Sequence, residues 1–285
     1  MPVQAPHTRA VLLAVTALAA AGVSLAAADK PASQTLLDAA AAYVSTFVQR
    51  FANVVSEEIY VQKWSTDGGV LLSQRQLRSD LLLTRPAAAT VYYTFREVME
   101  VDGKTMSESE SRLVQLFAKP SPNAIQDAEA ITLESARYNL GNLQRTVNQP
   151  FFGLILLQPG YQKRFQYSVD KVEREFGEDV WIMQFKESQR PTFVRGSGGK
   201  DLPVRGRFWI AAGSGQVLKT ELLMEDNQQK SEIVTTFRMN ERFQVAVPVE
   251  MKEQYSLKGN RGRINATATY QNFRQFEIET VEAPK

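Results

Sequence analysis

Asn148-Gln-Pro-Phe-Phe-Gly-Leu-Ile-Leu-Leu-Gln-Pro-Gly160 is the stretch on which the reading of this chain turns. Its apolar run, Phe151 to Leu157, is framed by Pro150 and Pro159. A bilayer span needs about 20 apolar residues, so the run belongs inside a fold, as a buried helix or as a plug against a sheet. Pro150 suits a first helical turn, whereas Gly153 weakens a helix.

On both sides the residues alternate with period two. Upstream, Glu58–Trp64 is followed by the turn Asp67-Gly68-Gly69 and by a second strand, Val70 to about Thr84. Asp-Gly-Gly between two such runs is a hairpin signal. Arg85-Pro86 breaks that strand, Thr90–Val101 reads as a third, and Asp102-Gly103 turns it into a fourth over Lys104–Phe117. Downstream, strands are expected at about 163–174, 179–187, 203–211, 216–225, 231–240, 246–257 and 262–279. Their turns are Phe176-Gly177, Gly213-Ser214-Gly215, Asp226-Asn227 and Lys258–Gly262, and Gly196–Asp201 reads as a flexible loop. Leu218, Thr220, Leu222 and Met224 oppose Lys219, Glu221 and Glu225, which marks an antiparallel sheet covered on one face.

Helical spacing appears at two further places. Leu36, Ala40, Tyr43, Val44, Phe47, Val48, Phe51 and Val55 form one apolar stripe, with Ser33 or Thr35 available as a cap. Asn123–Leu140 is the second, behind Lys119-Pro-Ser-Pro122 and closed by Gly141. The fold class expected is therefore α+β. A curved antiparallel sheet of about eleven strands, an incomplete barrel, is covered by an N-terminal helix and central helices. No period of 20–50 residues repeats, which argues against a solenoid or propeller.

Residues 1–28 read as a secretory signal peptide. Arg9 supplies the charge, Ala10–Leu25 the apolar core and Ala26-Ala27-Ala28 the cleavage site. Residues 29–285 then form a single exported domain, periplasmic or secreted, with no transmembrane segment. The chain has no Cys, and its one His, His7, leaves with the signal. That removes Ser-His-Asp and Cys-His nucleophiles, His-Cys metal sites, haem on His and disulfides. Lys plus Arg number 33 against 31 Asp plus Glu, so no net field recruits nucleic acid.

The remaining motifs are weak. Ser168-Val-Asp-Lys171 matches an acylation pattern but falls inside an alternating strand, with no S-D-N or K-T-G partner. Gly196-Ser-Gly-Gly-Lys200 has the wrong spacing for a phosphate loop. Asn265-Ala-Thr267 fits glycosylation but lies within a strand. Glu57-Glu58, Glu108 with Glu110, Glu134, and Glu250 with Glu253 are the carboxylates that a hydrolase would have to use, and nothing in the sequence pairs them across a cleft. Arg190, Arg195, Lys200, Arg205 and Arg207 surround the loop as an anion-facing patch or a solvated surface.

Leu81–Pro86 with Val91–Phe95, Gly177–Phe185, Phe208–Met224, Val247-Pro248 and Met251–Tyr255, in this element order, resemble the periplasmic lipoprotein-carrier fold. The LolA/LolB-like group and the RseB-type sensor domain share that fold. The chain is also similar to a family of exported bacterial proteins with the Glu134–Asn139 and Phe208–Ile210 runs, a likeness that implies no activity. The carrier resemblance implies an apolar cavity under a helical lid, binding a lipid or lipoprotein acyl chain without catalysis or cofactor. Candidate contacts are Phe151, Phe152, Leu154, Leu156 and Leu157 from the lid, and Trp181, Met183, Phe185, Leu222 and Met224 from the sheet. The alternatives are an envelope sensor or protein-interaction module with a filled core, and a carboxylate-based hydrolase.

Overall fold

The computed structural model describes residues 30–84, 92–106, 111–118, 122–141, 145, 147–173, 179–259 and 262–275. The signal peptide, the Arg85-Pro86 break, Glu108, Glu110 and the Phe176-Gly177 turn lie outside the described residues.

The chain opens with α1 (Ser33–Phe51), whose buried residues Leu36, Leu37, Ala40, Val44, Phe47, Val48 and Phe51 recur at helical spacing. Ser33 does not cap it; the Ser33 hydroxyl accepts the Val169 N–H instead. The strands β1 (Val54–Ser65), β2 (Leu71–Thr84), β3 (Tyr93–Val101) and β4 (Lys104–Thr105) follow. Next come α2 (Arg112–Ala118), α3 (Ala124–Ala136) and the short α4 (Phe152–Ile155) and α5 (Pro159–Gln162). The second half is β5 (Phe165–Glu173), β6 (Val180–Glu187), β7 (Val194–Arg195), β8 (Asp201–Leu202), β9 (Val204–Ala211), β10 (Val217–Glu225), β11 (Gln229–Asn240), β12 (Val245–Leu257) and β13 (Arg263–Gln275).

Eleven of these strands form one antiparallel sheet in the order β4-β3-β2-β1-β13-β12-β11-β10-β9-β6-β5, while β7 and β8 pair separately. Pairing follows chain order except where β6 meets β9 across the β7–β8 hairpin and where β1 meets β13, with Ile59 opposite Thr269; β4 and β5 are the two edges. The sheet is curled but not closed. From β3 to β5 is nine strand spacings, roughly 43 Å across a flat sheet. Yet Tyr92, beside β3, and Tyr167 of β5 donate to Phe151 O and Leu156 O, carbonyls five residues apart. Five residues span at most about 18 Å, so the two ends must approach each other around the Phe151–Leu157 segment.

The concave face carries the main core: α1, the Phe151–Leu157 segment and inward residues of the sheet, such as Tyr60, Leu81, Phe208, Ile233 and Met251. On the convex face α2 and α3 cover Val55, Leu82 and Phe95, and a small cluster of Val180, Ile182, Trp209 and Leu218 lies apart from them.

The fourth strand expected over Lys104–Phe117 is only two residues long, and its second half is α2. Leu113 and Phe117, four apart, bury one helical face, with the Phe117 ring 5.5 Å from Phe95. The deciding partner is the Glu97 carboxylate, which accepts the Leu113 N–H at 3.2 Å and the Ser111 hydroxyl at 2.9 Å. It thus satisfies a helix N-terminus with negative charge from another element.

Candidate functional site

All ten candidate contacts join the concave-face core. Phe151, Leu154, Leu156, Leu157, Trp181, Met183, Phe185, Leu222 and Met224 are buried in it and Phe152 packs against it, its ring 5.6 Å from Phe193. The Phe151 ring lies 5.8 Å from Phe47 and 5.7 Å from Phe51, so α1 and the segment hold each other in the hollow. The segment itself has no strand pairing. Its backbone is tied by side-chain donors: Tyr92 Oη to Phe151 O at 2.9 Å, Tyr167 Oη to Leu156 O at 2.8 Å and Gln162 Nε2 to Leu157 O at 2.8 Å. Burial raises the Tyr92 and Tyr167 hydroxyl pKa values, keeping both as neutral donors. Gly153 sits against β10, where a Cβ would lie 2.9 Å from Thr220.

Beyond this apolar end the same face carries a buried polar cluster. Glu58, Tyr60 and Gln62 project inward from β1, two residues apart, and Glu253 and Tyr255 do so from β12. Between them β13 presents Ala266, opposite both Gln62 and Glu253, and Ala268, opposite both Tyr60 and Met251. Small residues on the middle strand leave room for long polar side chains to meet across it.

Arg96 of β3 donates from Nη2 to Glu58 Oε1 at 2.9 Å and to Asn148 O at 2.7 Å, and its Nε lies 2.7 Å from Glu58 Oε2 as an ion-pair contact without hydrogen-bond alignment. The close opposite charge and the charge-assisted Nη2 bond are what allow the ion pair to be buried. Burial works against the Arg96 charge, but Glu58 more than restores it and the net pKa is raised. Arg145 donates to Tyr60 Oη at 2.7 Å, to Gln62 Oε1 and to Leu140 O at 3.0 Å. It lies 3.8 Å from Glu253 and over the Tyr60 and Tyr255 rings at 5.9 and 5.4 Å. Burial raises the Glu253 pKa, with Arg145 and a 2.6 Å hydrogen bond from Tyr255 pulling the other way. Glu253 Oε1, Gln62 Nε2 and Arg145 Nε have no hydrogen-bond partner among the described residues.

The other motifs resolve simply. Ser168 and Lys171 lie in β5, and Lys171 pairs with Glu173. The Gly196–Asp201 loop is a small hairpin in which Asp201 binds both Arg190 and Arg195. Glu134 pairs with Arg112 and Arg137, and Arg207 with Glu221. On the convex face, β10–β13 bound a polar hollow of about 460 Å³, lined by residues including Lys219, Glu232, Lys252 and Asn265, with charges of both signs. Among the described residues no group of three His, Cys, Asp or Glu is placed to hold a metal ion, and no helix is long and apolar enough to cross a membrane.

No protein-family model matches the chain, and no curated protein matches it. Among solved structures it is similar to a DUF1329 family protein from Desulfovibrio piger, at 11% identity and a TM-score of 0.42, covering 86% of this chain and 94% of that one. It is also similar to an outer membrane lipoprotein-sorting protein domain from Vibrio parahaemolyticus, at 11% identity and a TM-score of 0.35, covering 82% and 92%. Likeness at this level assigns neither a family nor a function.

Proposed function

We propose that residues 29–285 form an exported, periplasmic or secreted, binding domain. It takes a lipid, a lipoprotein acyl chain or another apolar ligand on its concave face, without catalysis. The supporting observation is the Phe151–Leu157 segment: a piece of chain filling the hollow of a curled sheet, held by side chains and by no ladder. With an acyl chain in its place the sheet stays covered, so the terms that change are the segment's own. Its four fully buried side chains contribute about 6–12 kcal/mol, at roughly 1.5–3 each. Ordering its seven residues costs about 7–14 kcal/mol, at roughly 1–2 each. These nearly cancel, leaving the tyrosine and glutamine hydrogen bonds, each about 0.5–1.5 kcal/mol, as the latch. Trp181, Met183, Phe185, Leu222 and Met224 then line the ligand, and Phe151, Phe152, Leu154, Leu156 and Leu157 form the displaced lid.

The test is to purify the mature protein from its producing cells, extract it with organic solvent and look for acyl species by mass spectrometry. A stoichiometric acyl ligand supports carriage. A clean extract, with no uptake of an apolar fluorescent probe, sinks it in favour of a second reading, an envelope sensor or interaction module. That reading is favoured by the near-zero exposure of nine of the ten contacts, all but Phe152, which the chain's own side chains already satisfy.

A further inference from the structure

The polar and apolar ends of the concave site are occupied by one run of chain in a fixed chemical order. Arg145 places a cation against Glu253, between the Tyr60 and Tyr255 rings. Asn148, three residues on, gives a carbonyl oxygen to Arg96. Phe151, Leu154, Leu156 and Leu157 then enter the apolar core. The sequence of groups is cation, hydrogen-bond acceptor, apolar chain.

We propose that the ligand is a zwitterionic phospholipid-type amphiphile, and that this run holds the places of its ammonium, its phosphate oxygen and its acyl chain. The inference rests on the reading of Phe151–Leu157 as a displaceable occupant. When the run leaves, the groups borne by the sheet remain. Arg96 keeps its ion pair with Glu58 but loses the Asn148 acceptor at Nη2, and an anionic oxygen restores it. Glu253 loses its cation while Tyr60, Tyr255 and Gln62 stay around it, and a carboxylate flanked by tyrosine rings suits an ammonium. Glu253 Oε1 is buried and without a hydrogen-bond partner among the described residues, so this carboxylate has an acceptor to spare. A fatty acid or an anionic phospholipid would leave Glu253 buried without a cation, so the site discriminates by penalty as well as by attraction.

The experiment competes lysophospholipids of one acyl chain, below their micellar concentration, against bound phenylnaphthylamine on the mature protein. Lysophosphatidylethanolamine and lysophosphatidylcholine should displace the probe at ten-fold or more lower concentration than lysophosphatidylglycerol. Glu253→Gln should shrink that gap to three-fold or less while the probe binds at least as tightly as to the wild type, circular dichroism and a melt reporting the fold. If that variant does not fold, Arg145→Gln serves: losing the built-in cation weakens the seated run, so the ammonium lipids and lysophosphatidylglycerol should both tighten about ten-fold with the gap between them kept. Equal affinities in the wild type overturn the headgroup inference and leave the apolar-ligand reading standing. A preference that survives Glu253→Gln, or an Arg145→Gln variant with unmoved ammonium lipids, overturns the assignment to this cluster. Displacement by phosphoethanolamine lacking a tail overturns the amphiphile. Failure of the probe to bind overturns both readings.

Discussion

Replacing Tyr92 and Tyr167 together by Phe keeps both rings and removes two hydroxyls that hold the Phe151–Leu157 segment, at 2.9 and 2.8 Å from its carbonyls. Phe151 O keeps the Leu154 N–H at 3.0 Å, so its loss falls at the low end of the usual range. At about 0.5–1.5 kcal/mol for each bond, the seated state loses roughly 1–3 kcal/mol relative to the displaced one. That shifts the equilibrium by about 5- to 150-fold, and apparent affinity for an acyl ligand rises by the same factor while the displaced state is the minor one. The same change lowers stability in the absence of ligand. The two readouts therefore move in opposite directions: a lower melting temperature with tighter binding of phenylnaphthylamine, measured by fluorescence titration. A variant that melts earlier and binds the probe no better, or more weakly, would refute the displaceable segment and leave Phe151–Leu157 as ordinary core.

Gly153→Ala should act in the same direction, because its Cβ would lie 2.9 Å from Thr220 and push the segment off β10; a melt and the probe titration read it. Leu156→Asp should leave a folded sheet with the segment out, since displacement relieves the buried carboxylate; faster amide exchange confined to 151–157 is expected, and failure to fold would count against it. Glu58→Gln should cost about 3–5 kcal/mol by leaving Arg96 buried without its counter-charge, seen as a lowered denaturation midpoint, whereas breaking the exposed Lys171–Glu173 pair should change stability by under about 0.5 kcal/mol. Glu253 has a folded-state pKa above its ordinary 4.5, so the folded protein binds the proton first. Its contribution is fully present below 4.5 and is lost as pH rises through the raised value; melts across that window should slope downward with pH, and Glu253→Gln should flatten the slope.

The architecture was legible where the evidence is local. The change of period from 3.6 to 2 after Phe51 marks α1 and β1, and Asp67-Gly68-Gly69 marks the first hairpin. Where the evidence is distant it was not. The seven residues Arg112–Ala118 fit a strand or a helix equally, and the group that decides for the helix, Glu97, lies in β3. Likewise nothing near Val54–Ser65 announces that its partner is Arg263–Gln275, although that pairing joins the two halves of the sheet.

The candidate site divides in the same way. Its apolar half could be read from hydropathy, because Phe151–Leu157, Trp181, Met183, Phe185, Leu222 and Met224 are the residues that water expels. Its polar half defeats the same rule. In β1 an alternation reading puts Ile59 and Val61 inside and Glu58 and Gln62 in solvent, but the sheet has the opposite phase: Glu58 and Gln62 are buried, and Ile59 and Val61 are partly exposed. That phase is tolerable only because Arg96 and Arg145 arrive from 38 and 83 residues away to meet those side chains, a distance no sequence window contains. The clues were an Arg within the apolar run of β3 and two alanines on the inward face of β13, each unremarkable alone. Inward polarity of this kind commits four charges to one buried place, a costly way to build a core that leucines would fill more simply. The cost is more readily understood if those charges also receive a ligand's headgroup, which ties the inverted phase of β1 to the displaceable segment beside it.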